Sequence, residues 1–208
     1  MGRRNNARQN GMRARIAAAA ARIMAEDGID DFALAKRKAA RALGAPNTEA
    51  LPGNDEIEAE LRDYLALYQP EEHPERVAEL RRLALDVMRA FESFNPYLTG
   101  PVLAGIAGPY AEIDLQLFPE STKEVELFLL ERNIAYSASD ERRYTGDRAR
   151  AVAVVSLSWQ GVALRLSVFD PRDERAALKT SLAGRVTTRA GIAEVRALVE
   201  SAHDARSA

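Results

Sequence analysis

The residues best suited to chemistry lie in one short stretch, Gly105-Ile106-Ala107-Gly108-Pro109-Tyr110-Ala111-Glu112-Ile113-Asp114-Leu115-Gln116-Leu117-Phe118. From Tyr110 to Phe118 apolar and polar side chains alternate, which is the period of a β-strand. Glu112 and Asp114 are therefore expected side by side on one face, about 6.5–7 Å apart along the chain. Two neighbouring carboxylates repel unless a cation lies between them, and Mg²⁺ is the hard, oxygen-seeking ion that suits them. With a second metal, such a pair stabilises the attacking and leaving oxygens of phosphoryl transfer. Gly105 and Gly108 carry no side chain to keep backbone N–H groups from a phosphate. The same alternation also suits a solvated or salt-bridged strand with no ligand.

Composition removes several other chemistries. The 208 residues hold 29 Lys plus Arg against 31 Asp plus Glu, a formal net charge of −2. There is no cysteine, which excludes disulfides, a thiolate nucleophile and Cys-ligated zinc or iron–sulfur centres. The two histidines, His73 and His203, are far apart in sequence, an unpromising start for a Ser-His-Asp hydrolase. No apolar run approaches the ~18 residues of a membrane span. The Ala-rich run from Ile16 to Met24 contains Arg22 and no cleavage pattern, so a cytoplasmic protein is expected.

The elements that must position the pair divide at about residue 96. Residues 1–12 read as a basic, disordered arm and 13–96 as a helical segment. Helices are expected over Arg13–Asp27 and Asp31–Leu43, then around Ile57 to Tyr68, then from Pro74 to just before Pro96. Residues 1–22 carry six arginines and no acid. Residues 54–75 carry eight acids against Arg62 alone, which suggests neutralisation within the chain. From 97 to 208 the period shortens. Pro101 to Ala104 is short and apolar, Ser121 or Thr122 caps a helix through Arg132, and Ser137 to Arg150 reads as irregular. Ala151–Trp159 and Val162–Phe169 form a hairpin at Gln160-Gly161, and a last helix is capped near Thr187 or Thr188.

This order of elements, with Glu-Ile-Asp on a strand after a glycine turn, resembles the nucleotidyltransferases related to DNA polymerase beta, above all the minimal bacterial ones. The resemblance covers Val102 to Phe169. It is shared with an uncharacterised group of proteobacterial proteins, some labelled muramate–alanine ligases, although the chain has no Gly-Lys-Ser/Thr phosphate loop. The resemblance implies an α+β chain: an N-terminal helical segment, then a small nucleotidyltransferase-like mixed sheet with helices on one face and a C-terminal helix. It also implies Mg²⁺-dependent transfer of a nucleoside monophosphate from an NTP to a hydroxyl acceptor. Glu112 and Asp114 would hold the metal, Gly105 and Gly108 would admit the phosphates, and arginines near 142–150, Arg142 and Arg143 among them, would balance the charge.

Three departures from the family pattern bear on activity. Ile106 stands where a serine is expected after the glycine, and the spacing from Gly105 to Glu112 is short. The third departure concerns the missing carboxylate. Leu164, Leu166 and Val168 take the apolar face of their strand, so Arg165 and Ser167 share the open face with the acids. Arg165 then stands where a third carboxylate belongs, and Asp170 has the wrong parity. A second expectation follows: an inactive nucleotidyltransferase-fold protein that binds nucleotide, RNA or a protein partner, with Arg165 paired to Glu112 or Asp114. A third comes from Ile16 to Gly44, whose helix–Asp-Gly–helix layout is similar to the opening of tetracycline-repressor-type DNA-binding proteins. Lys36, Arg37, Lys38 and Arg41 would meet phosphates there. Against it, a Pro/Gly loop and an acidic helix follow Gly44 in place of a recognition helix.

Overall fold

The computed structural model describes the backbone of residues 2–29, 31–145, 148–179 and 186–207, and side chains from 9 to 204 within those spans. It is an α+β chain with two compact units. One comprises residues 1–77 with 105–111, the other 78–104 with 112–208.

In the first unit, α1 runs Gly2–Asp27, so the stretch read as an arm is continuous with the first helix. Helix α2 spans Phe32–Ala42 and is capped by Asp31, whose carboxylate accepts from the Ala33 and Leu34 N–H groups. Helix α3 spans Asn54–Tyr68. At its first turn Glu56 accepts from the Gly53 N–H and, at 2.6–2.9 Å, from the Arg13 guanidinium. Arg13 first, then Gly53, holds the Glu56 carboxyl below the usual carboxylate range. The basic and acidic stretches therefore do meet within the chain. Ile16, Ala20, Ala35, Ala39, Ile57 and Leu61 bury the facing stripes of these helices.

Helix α4 spans Glu72–Ala90 and leads through a 3₁₀ turn, Glu92–Phe94, into the second unit's sheet. The division between units falls within α4, at 77/78, whereas the change of sequence period falls at Pro96. The strands are β1 (Tyr97–Thr99), β2 (Ile113–Leu117), β3 (Tyr136–Thr145), β4 (Arg148–Trp159), β5 (Val162–Val168) and β6 (Leu178–Lys179). Helix α5 (Gly100–Ala104) joins β1 to β2, α6 (Thr122–Glu131) joins β2 to β3, and α7 (Ile192–Ser207) ends the described chain. The strand order is β1-β2-β5-β4-β3-β6, with β2 and β5 parallel and every other pair antiparallel.

Three expectations are corrected here. Pro101 to Ala104 is helical, and the strand preceding it is Tyr97–Thr99. Ser137 to Arg150 is largely the β3–β4 hairpin, paired from Tyr136↔Leu157 to Thr145↔Arg148. Its charged alternation hid it, because neither face of β3 is strongly apolar. The last helix starts at Ile192, not near Thr187, because Ala190 is drawn into an antiparallel bridge with Leu98. Ser121 caps α6 as expected, and Gln160 (φ 51) with Gly161 (φ 84) forms the tight turn between β4 and β5.

Register fixes the two sheet faces. Leu98, Leu115, Leu166 and Val155 form one apolar row, and Ile113, Leu164 and Leu157 the next. All are buried, and each such side chain contributes about 2 kcal/mol. Trp159 shares the parity of Val155 and Leu157 and so belongs to this face. Phe91 packs at 4.6 Å from Phe128 and at 6.0 Å from Trp159, so the tryptophan closes the core. Serines, charges and an amide line most of the other face.

Candidate functional site

Register places Thr99, Asp114, Arg165, Ser156 and Ser137 in one row across five strands of the polar face. Tyr97, Gln116, Ser167, Val154 and Ser139 form the row beside it. Asp114 is half-buried within β2, whereas Glu112 lies one residue before the strand and is exposed. Only one of the two expected acids is thus fixed by the sheet.

The glycine that shapes the Asp114 environment is Gly100. Its φ is +71°, and a Cβ built on it would stand 2.5 Å from Asp114 Oδ2 and 3.3 Å from Asp114 Cβ. Any side chain at 100 would be strained and would collide with the carboxylate. Gly105 and Gly108, which the sequence analysis assigned to phosphate approach, belong to the 105–111 segment of the first unit, whereas Asp114 belongs to the second. Strand β1, the Gly100 turn and strand β2 make the strand–glycine–acid-strand order five residues earlier than Gly105. Its sequence signal is Thr99-Gly100-Pro101, a weaker one than the paired glycines of Gly105-Ile106-Ala107-Gly108.

Arg165 pairs in register with Asp114, as strand parity predicts. Its ion pair among the described residues is with Glu141 of β3, not with the Glu112 or Asp114 that the sequence analysis expected. Arg143, also on β3, binds the second oxygen of Glu141 at 2.7 Å. Burial by itself would raise the Glu141 carboxyl. The Arg165 hydrogen bond and the charges of Arg143 and Arg165 outweigh it, and the group is held below the usual carboxylate range.

Arg142 points to the other side of β3 by parity and lines a cavity of about 450 Å³ with Asp140, Glu141, Arg150 and two alanines. Arg150 also binds Asp173 at 2.9 Å. Gly146 and Asp147, part of the arginine-rich segment singled out in the sequence, lie outside the described residues. At the far end of the polar face Phe118, Val152, Phe169 and Leu178 form a small apolar cluster. There Arg189 lies over the rings of Tyr97 and Phe118, and Tyr97 donates to Glu174 at 2.8 Å.

The Mg²⁺ implied by the family resemblance does not fit this donor set. Only Asp114 of the two acids is set in the strand, and Arg165 stands at the register position that a third acid would take. Among the described residues no group of three His, Cys, Asp or Glu side chains could hold a metal.

In the helical unit, Lys38 binds Asp27 at 3.0 Å, Lys36 donates to Asn54 at 2.7 Å, and Arg13 is held by Glu56. No helix begins between Gly44 and Asn54.

No protein family, curated protein or solved structure matches the chain. No helix among the described residues is long and apolar enough to cross a membrane.

Proposed function

We propose that the chain binds a phosphate-bearing ligand of the nucleoside triphosphate class, and that it does so with guanidinium groups and without metal-driven transfer. Arg165 carries this reading. Its strand position is in register with Asp114, where metal-dependent transfer would need a further anion, and its guanidinium, held at Glu141 of β3, has the fork geometry that suits phosphate oxygens. Arg150, in register with Arg143 and so on the same face, supplies further positive charge, and the exposed hydroxyls of Ser137, Ser139 and Ser156 supply donors for a sugar or phosphate. Pyrophosphate release from NTPs tests the absence of transfer. The expected result is none above background with Mg²⁺ present, alongside saturable NTP binding that weakens at least tenfold in Arg165→Met.

One observation favours a second reading, Mg²⁺-dependent nucleotidyl transfer. The β1–Gly100–β2 arrangement seats Asp114 against a glycine turn, the order that the family resemblance implies. Pyrophosphate release that is lost in Asp114→Asn would favour it. No helix begins between Gly44 and Asn54, so no recognition helix follows α2 to support DNA reading.

A further inference from the structure

We propose that the helical unit carries a separate ligand site, a cavity at the α3–α4 corner that takes a small 2-hydroxy carboxylate. The cavity measures about 250 Å³. Arg62, Leu65, Ala66 and Gln69 line one side of it, and their spacing is that of a single helical face. Pro70, His73 and Pro74 complete the lining, with His73 only 8% exposed. Gly105, at φ +72°, contributes backbone to the lining.

Three features of the lining define the ligand. The Arg62 guanidinium is half-exposed, and its only ion pair among the described residues is a distant one, to Glu58 at 3.8 Å. Its donors are therefore open to a carboxylate, which the planar fork can grip with two hydrogen bonds. The Gln69 Oε1 atom is buried and has no hydrogen-bond partner among the described residues. Such an acceptor calls for a donor from a ligand or water. Leu65, Ala66, Pro70 and Pro74 offer apolar surface to a short alkyl group.

A ligand that satisfies all three combines an anionic head, a hydroxyl donor and a small apolar body. An amino acid would place a second cation beside Arg62, which disfavours it. The volume suits a molecule of about ten heavy atoms, well below the size of a nucleotide. All the lining residues lie in the first unit, so this site does not depend on the reading of the polar sheet face.

Calorimetric titration of the full chain with three probes tests the assignment. The probes are 2-hydroxy-4-methylpentanoate, 4-methylpentanoate, which lacks the hydroxyl, and 4-methylpentane-1,2-diol, which lacks the carboxylate. The hydroxy acid is expected to bind saturably, the deoxy acid roughly tenfold more weakly, and the diol not at all. Arg62→Gln should abolish binding of both acids. Gln69→Leu should equalise their affinities while leaving the urea unfolding midpoint in place. Failure of the hydroxy acid to bind the wild-type chain at up to about 10 mM would overturn the proposal. So would unchanged binding in Arg62→Gln, equal affinity of the wild type for the two acids, or saturable binding of the diol.

Discussion

Arg165 of β5 reaches across β4 to pair with Glu141 of β3. Register shows how far it must go. Arg165 stands opposite Ser156 and Glu141 opposite Val152, so the two residues are separated by two strands and two pleats. On a flat sheet that is about 16 Å between backbones, so both the Arg and the Glu side chain must extend toward each other to close it. By register Val154 lies between the two ends, and that valine, on the polar face, is only 1% exposed. Arg165, whose backbone is in register with Asp114, thus carries its charge away from β2 to an acid two strands on.

Removing both ends of this bridge should cost less than the two single removals added together. Glu141→Gln leaves a half-buried guanidinium with less compensation, and we expect a loss of about 1–2 kcal/mol by urea denaturation, between the values for exposed and buried pairs. Arg165→Met keeps the cover over Val154 and should be milder. The double variant should lose less than the sum of the two, and strict additivity would show that the pair is not coupled.

Acid should act through the same carboxyl. Glu141 binds its proton more weakly in the folded chain than in the unfolded one. Its contribution is therefore complete above the ordinary Glu value of about 4.3 and is lost as pH falls through the lower folded value. Urea midpoints of the wild type and Glu141→Gln, measured from pH 7 down to about pH 3, should converge at the acid end. A gap that widens on acidification would contradict this sign.

Gly100 and Gly44 make a controlled comparison. Both have φ near +70°, but a Cβ at 44 meets nothing within 4 Å, while one at 100 meets Asp114. Gly44→Ala should destabilise by about 1 kcal/mol, the backbone term alone. Gly100→Ala should lose more, because the Asp114 carboxylate must also move, and it should weaken NTP binding where Gly44→Ala does not. Paired calorimetric and urea measurements check both halves.

The β4–β5 turn is improvable. Gln160 occupies a left-handed conformation at φ 51°, which asparagine adopts more readily. Gln160→Asn should raise stability by about 0.5 kcal/mol, read as a higher urea midpoint.

These predictions draw on features of unequal legibility. The Glu112–Phe118 alternation, the Gln160-Gly161 turn, the caps at Asp31 and Ser121 and the parity of Arg165 rest on local chemistry, and one sequence carries such chemistry openly. The partner of Arg165 does not, since Glu141 is 24 residues away and faces it only through a hairpin whose strand β3 lacks an apolar stripe. Gly100 was hidden for a related reason. Its role depends on the left-handed turn between β1 and α5, and the three-residue strand before it is too short to show a period. The helix α5 that follows reads as an apolar strand because its five residues cannot distinguish the two periods.

Calorimetric titration of the wild-type chain with ATP, once in Mg²⁺ and once in EDTA, tests the central claim most directly. The account predicts saturable binding whose affinity differs less than about threefold between the two conditions and falls at least tenfold in Arg165→Met. Binding that vanishes in EDTA and survives Arg165→Met would contradict it.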